Sequence, residues 1–482
     1  MNTKKTVIKN ISSLFGAQIL TTLFTSILFI YIARKLGDEI FGKYSFILSL
    51  TTIFLIISKF GINAVAIRDV ARDTSRLNKY IKNIIVLQLL FSTLSVIIFI
   101  VFVTLLNMPP DTTHASYIFA GGLFFQSMSF AFRWIFHALQ IMELESLERV
   151  SERFLLLTMS GLLLWKGYGL ISLSLVFLIT QLTIFALSLF FASRKIKIPK
   201  IKLNLSFCKY LIRTAVFFAL CEMLWIIYFK IDIVMLAKLK GETEVGWYNA
   251  AYVVVNFVSL ISALSMQAVF PVLSNLYGKG KNKLEETAEK LFRYLILSAF
   301  FIVPVVFLFS DKIIALLYGS DYSHSVTALK ILIFVLIFLF PGNLFAHILA
   351  SSNRHKMLAL INFIGVIVNI FLNFILIPKL SYIGAGLSTI ITEIILCFLL
   401  YNVVSKFLKL KSLKIILSFL PSTIAIILII TIASNLPTIP LIILVFLVYF
   451  SFACLTGGIT KETLSLISGI IKKQSSLYHK DY

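Results

Sequence analysis

Apolar runs of about 18 to 23 residues recur along the whole of this 482-residue chain, separated by short polar connections. At a rise of 1.5 Å per residue, each run is long enough to cross a hydrocarbon core roughly 30 Å thick. The chain is 59% hydrophobic and 13% charged, whereas soluble domains average roughly 45–50% and about 25%. No soluble fold hides that much apolar surface, so lipid is the solvent. The first run, from about Ser12 to Ala33, ends at Arg34-Lys35 without a small-residue cleavage site and reads as a retained helix rather than a signal peptide. Cys208, Cys221, Cys397 and Cys454 are widely spaced, so neither a disulfide nor a metal site is implied, and no cofactor is expected.

The expected fold is all-α, a polytopic integral membrane protein with about 14 transmembrane helices. They are placed near 11–33, 44–66, 83–105, 116–140, 150–166, 169–193, 210–237, 247–275, 294–310, 328–350, 357–377, 382–405, 412–433 and 438–458. With the N-terminus inside, 32 of the 44 Lys and Arg residues fall in cytoplasmic segments and 10 outside, while Lys59 and Arg133 lie within spans. That asymmetry puts both termini in the cytoplasm of a multi-pass protein of the cell membrane. The fifth span is the weakest. Omitting it would turn the seven-cation segment between Arg194 and Arg213 outward, against the rule. The net charge of +23 is dispersed between spans rather than gathered in a groove, so topology explains it and no nucleic-acid partner is expected.

The segment Ala33 to Tyr44 returns 204 residues later as Ala237 to Tyr248, each copy reading A-[RK]-x-x-G-[DE]-x3-G-x-Y. His114 and His137 likewise return as His324 and His347, 210 residues on. A six-helix unit is therefore duplicated. Two pseudo-symmetric six-helix bundles, 1–205 and 206–408, are expected, with two C-terminal helices in 409–460 and a cytoplasmic tail over 461–482. Parallel repeats related by an axis along the membrane normal place a substrate path between them.

Polar and ionisable residues inside the spans are the next constraint, because they are costly in lipid and mark pathways or pairing. The fourth helix carries Gln126, Ser129, Arg133, His137 and Gln140 as one stripe; the second carries Lys59 and Asn63 at i and i+4. The seventh carries Glu222, Lys230 and Asp232, the last two about 200° apart around the axis. Uncharged stripes comprise Gln18, Thr22 and Thr25; Asn249, Asn256, Ser259 and Gln267; and Asn362, Asn369 and Asn373. Glu393 is a further mid-helix carboxylate.

ARKLGDEIFGKYSF from Ala33, KFGINAVAIRDVAR from Lys59, YFKIDIVMLAKLKGETEVGWYNAAY from Tyr228, ALLYGSDY from Ala315 and YIGAGLST from Tyr382 together resemble one family. It is the polysaccharide-transporter branch of the multidrug/oligosaccharidyl-lipid/polysaccharide exporter superfamily, which includes the O-antigen flippases. The resemblance covers nearly the whole chain. It implies alternating access by two six-helix bundles around a central cavity, with a polyprenyl-linked glycan as cargo and membrane lipid around it. Glycan-assembly enzymes are the implied neighbours.

Carrying such a head group through hydrocarbon would cost roughly 4–8 kcal/mol per unpaired hydroxyl, so a polar cavity is required. The tail, at about 0.8 kcal/mol per methylene, stays in lipid. The anionic phosphate or pyrophosphate calls for cations, preferably Arg. Arg133, Lys59, Lys230, Asn63, His137, Gln126 and Asn256 are the candidate cavity residues, and Asp232, Glu222 and Glu393 the candidates for coupling to sodium or protons. Arg133 and Lys59 are expected to serve transport rather than insertion.

Each has a structural alternative. Lys230 is near enough to a boundary to snorkel. Asp232 is a candidate counter-ion to Lys59 or Arg133; Glu222 and Glu393 suit interhelical salt bridges; His137 and His347 suit hydrogen bonds to helix backbone; the asparagine stripe suits helix packing. Two rival functions follow. A membrane glycosyltransferase would want sizeable outer loops with acidic residues, and the outer connections here, near 311–327 and 238–246, are short. No catalytic residue is assigned. A multidrug exporter of the same superfamily would prefer an acidic cavity.

Overall fold

The computed structural model describes residues 3–196, 204–277, 280–410, 412–433 and 437–458. The expected cytoplasmic tail at 461–482 and the stretch 197–203 of the basic segment lie outside the described residues. The described chain is helical: α1 (Thr3–Lys59), α2 (Ile62–Arg72), α3 (Leu77–Leu106), α4 (Pro110–Ala138), α5 (Met142–Trp165), α6 (Leu170–Lys195), α7 (Leu205–Lys240), α8 (Glu242–Tyr277), α9 (Lys281–Tyr318), α10 (Ser323–Leu332), α11 (Val335–Ser351), α12 (His355–Ser405), α13 (Ser412–Ile432) and α14 (Thr438–Leu455).

Nine of these are long and apolar enough to span a bilayer, and α10 with α11, bent by 46°, make a tenth. Helices α1 and α12 each contain two of the expected spans, joined at the non-helical residues Gly37 and Ser381. Adding α5 and α14, and counting α1 and α12 twice, recovers the fourteen crossings read from the sequence. Helix α5 falls short on hydropathy because Glu143, Glu145, Glu148, Arg149, Glu152 and Arg153 crowd its first half. Side chains such as Leu90, Leu105, Phe374 and Phe398, exposed by 59, 73, 68 and 62%, face outward, as lipid requires and water would penalise.

Two boundaries differ from expectation. The second span does not run on through residue 66: the chain breaks at Phe60-Gly61, both at positive φ, and α2 starts afresh. The connection expected over 311–327 is mostly helical, since α9 continues to Tyr318 and α10 starts at Ser323 after a 3-10 turn.

Contacts divide the chain into two compact units that do not follow its sequence halves. The first comprises 1–258, 314–329 and 362–392; the second comprises 259–313, 330–361 and 393–482. In the first, α4 packs on α6 through Phe119 stacked on Phe177 at 4.3 Å. In the second, α13 and α14 cover α9: Phe309, Ile426, Ile430, Leu441 and Val445 form the core, and the Tyr449 hydroxyl donates to the Leu297 carbonyl at 2.7 Å.

Gly61 shows why the break in the first unit sits where it does. A Cβ there would lie 2.6 Å from the Ala219 amide nitrogen and 2.8 Å from the Ala215 carbonyl oxygen, at φ +63°. Only glycine lets α2 and α7 approach so closely in that conformation. Gly61→Val is expected to cost about 1–3 kcal/mol by overpacking, and roughly 1–2 kcal/mol more for the backbone. The thermal midpoint of the detergent-solubilised protein checks this, with Gly16→Ala as a control, because a Cβ at Gly16 meets nothing within 4 Å.

Candidate functional site

The break after Lys59 leaves that lysine at the end of α1 and Asn63 as the second residue of α2. On α4, Phe130, Arg133, Trp134 and His137 recur at helical spacing; on α7, Phe218, Cys221, Glu222 and Trp225 do the same. These faces, with Glu145 of α5 and Asn362 of α12, line a cavity of about 610 Å³ within the first unit.

Its two cations are held differently. Lys59 Nζ lies 3.1 Å from Glu222 Oε1, across the cavity from α1 to α7, and 4.3 Å over the Phe130 ring. Arg133 is anchored from behind: its Nε is 3.0 Å from Glu148 Oε2, and its Nη2 is 3.4 Å from Glu152 Oε2. The side chains of Glu148 and Glu152 are 0% and 6% exposed. Gln181 of α6 donates to the other oxygen of Glu152 at 3.1 Å. His137 forms an ion pair with Glu145 when protonated. Asn63 donates to the Phe130 carbonyl at 3.2 Å, while its buried Oδ1 accepts no hydrogen bond from the described residues.

Of the residues proposed from sequence, Lys59, Asn63, Arg133, His137 and Glu222 meet in this cavity. Gln126, Lys230, Asn256 and Asp232 do not line it, and Glu393 belongs to the second unit. Asp232 is not the counter-ion of Lys59 or Arg133; it accepts from the Tyr248 hydroxyl, and its charged neighbour is Lys230. Lys230 also interacts electrostatically with Arg153. His347 bonds a helix carbonyl, Asn343 O at 2.8 Å, but His137 pairs with a carboxylate instead. Asn373 donates to Asn369 Oδ1 at 3.0 Å, one turn away on the same helix and buried; Asn362, on the same stripe, lines the cavity.

Sequence reasoning missed Glu145, Glu148 and Glu152. Their i, i+3, i+7 spacing put three carboxylates on one face of the weakest span, a signal that was present. As a consequence the cavity is mixed in charge rather than cationic, with Glu145 and Glu222 beside Lys59 and Arg133.

The family of polysaccharide biosynthesis proteins matches residues 7–277, more than half of the chain, including both copies of the glycine repeat and all the charged residues of the cavity. The chain belongs to that family. The MatE family matches residues 216–375. The fold is that of the multidrug/oligosaccharidyl-lipid/polysaccharide superfamily. Lipid II flippase MurJ in an inward closed conformation superposes with a TM-score of 0.77 at 16% identity, over 92% of this chain and 98% of that one. An inward-facing multidrug resistance MATE family transporter gives 0.68 at 13% identity, over 82% and 97%. An uncharacterized membrane protein of Methanocaldococcus jannaschii is 27% identical over 165 residues, 33% of this chain and about a third of that protein's length, 32%.

Proposed function

We propose that this family member is a flippase that carries polyprenyl phosphate- or pyrophosphate-linked oligosaccharide across the cytoplasmic membrane by alternating access, for cell-surface glycan synthesis. The observation that carries it is the polar cavity inside a membrane-spanning unit, with Lys59 and Arg133 beside asparagines and aromatic rings. A phosphate is met there by charge-assisted bonds, hydroxyls by amides, and sugar faces by Trp225 and Phe218. Membership of a polysaccharide biosynthesis family supports the same cargo.

The repeat at 33 and 237 supports two bundles, 1–205 and 206–408, and the distribution of Lys and Arg supports cytoplasmic termini. Of the three carboxylates considered for sodium or proton coupling, Glu222 stands in the cavity and is the first candidate; Asp232 is not among its lining residues, and Glu393 belongs to the second unit. Enzymes that assemble and consume the lipid-linked glycan are the expected functional neighbours.

A multidrug exporter is the second reading, favoured by Glu145 and Glu222 in the lining, which would suit an amphiphilic cation. Purified protein in liposomes loaded with a lipid-linked oligosaccharide on one leaflet separates these. The expected result is exposure of the head group on the other leaflet with unchanged mass. Efflux of small organic cations without glycan movement would favour the exporter, and a product of altered mass would favour a glycosyltransferase. Collapsing a sodium or proton gradient in the same vesicles tests coupling.

A further inference from the structure

The repeated motif A-[RK]-x-x-G-[DE]-x3-G-x-Y has no part in the cavity, yet its two copies meet. Its first glycines, Gly37 and Gly241, adopt the same unusual backbone conformation, φ 79° and ψ 178° against φ 105° and ψ 172°. Each ends one helix and starts the next at an acidic residue, Asp38 or Glu242. The second glycines bring those new helices together reciprocally. A Cβ on Gly42 would sit 1.7 Å from the Glu242 carbonyl oxygen, and one on Gly246 would sit 2.1 Å from the Asp38 carbonyl oxygen.

Each copy's second glycine therefore rests on the first turn of the other copy's helix. This is the pattern of an isologous two-fold contact within one chain. The next polar contact obeys the same relation: Asn249 donates to Ser45 Oγ at 2.8 Å, and these two residues are also equivalent, 204 positions apart. Trp247 Nε1 donates to Asp38 Oδ2 at 2.6 Å, and Tyr322 donates to the Ala33 carbonyl at 3.1 Å. Gly42, Ser45, Gly246 and Asn249 are buried, and all these residues belong to the first compact unit.

At the paired glycines the two helices meet backbone against backbone, with single hydrogen bonds beside them. Small residues let two membrane helices approach this closely, and such contacts are held by packing and hydrogen bonds rather than by a hydrophobic driving force. We propose that the paired glycine repeats are a self-complementary clasp closing the end of the protein that carries Gly37 and Gly241, and that this clasp opens once per transport cycle. The opening, though not the closure, rests on the transport reading.

Labelling of a single cysteine, Ser45→Cys in a background with the four native cysteines replaced, tests the closure with a water-soluble maleimide in proteoliposomes. Gly42→Leu and Gly246→Leu are each expected to raise the labelling rate at least tenfold. Gly161→Leu, where a Cβ meets nothing within 4 Å, should leave it unchanged. Rates unaffected by the two clasp substitutions, in protein that still melts cooperatively, would overturn the closure. Should those variants fail to fold, Ser45→Cys with Asn249→Cys serves instead. A short bis-methanethiosulfonate, which joins two thiols through disulfides and releases sulfinate, should bridge them in good yield, and failure to bridge would overturn the clasp. The bridged protein should stop moving lipid-linked saccharide and recover on reduction; transport at the unbridged rate would overturn the opening. If unbridged protein moves no saccharide, the flippase reading fails, and the opening with it, while labelling and bridging still decide the closure.

Discussion

Arg133→Ala is expected to destabilise the protein by about 3–5 kcal/mol, because it strands buried Glu148 without its cation and takes from buried Glu152 the nearer of its two, leaving Arg153 at 3.7 Å. Glu148 and Glu152 are 0% and 6% exposed on their side chains, and Arg133 pairs with both. Glu152 keeps Arg153 and the hydrogen bond from Gln181, so Glu148 bears most of the loss. The midpoint of thermal aggregation in detergent should fall well below that of the native protein. Arg133→Met combined with Glu148→Gln and Glu152→Gln should recover most of it, since removing all the charges of a buried cluster together costs far less than removing one. A midpoint for Arg133→Ala equal to that of the native protein would show that the cluster contributes nothing. The outcome matters for function, because the sequence alone suggested that alanine here would spare insertion and abolish only transport. A rescued triple variant that stays inactive in liposomes would isolate the cavity role of the charge from its structural one.

Lys59→Ala should leave stability nearly intact while cutting translocation by about 10- to 100-fold, the size of one lost charge-assisted contact to the head group. The difference from Arg133 follows from exposure. The side chains of Lys59 and Glu222 are 21% and 36% exposed, so their pair is partly solvated and easily exchanged. An incoming phosphate can take the place of Glu222 at the lysine. Glu222→Gln should therefore hold the anionic head group more tightly in an equilibrium binding measurement, and release of cargo should slow. The swap Lys59→Glu with Glu222→Lys keeps the ion pair and should keep stability, but it moves the cation to α7 and should not restore full transport. Undiminished translocation by Lys59→Ala would remove this residue from the cargo site.

Spans, their number and the internal repeat were legible because they depend on local quantities. Hydropathy over some twenty residues decides whether a segment prefers lipid, and similarity at a fixed offset needs no coordinates. Even the difficulty of the fifth span was visible in its charges. The same is true of which residues would be costly in lipid: Lys59, Arg133 and Glu222 were singled out by position alone. Their partners were not. Asp232 and Glu222 share α7, ten residues apart, yet only Glu222 reaches Lys59, while Asp232 turns to Tyr248. Residues ten apart on a helix differ by about 280° in azimuth and 15 Å in height. Which of them meets a given neighbour is then set by how that helix is rotated and packed. The three carboxylates of α5 were readable as one face, but that this face stands behind Arg133 was not. The reciprocal seating of Gly42 on Glu242 and of Gly246 on Asp38 likewise joins residues about 200 positions apart. Sequence determines what each segment must bury or solvate. Tertiary packing alone decides which buried charge neutralises which, because electrostatic and steric energies depend on distances that no linear spacing specifies.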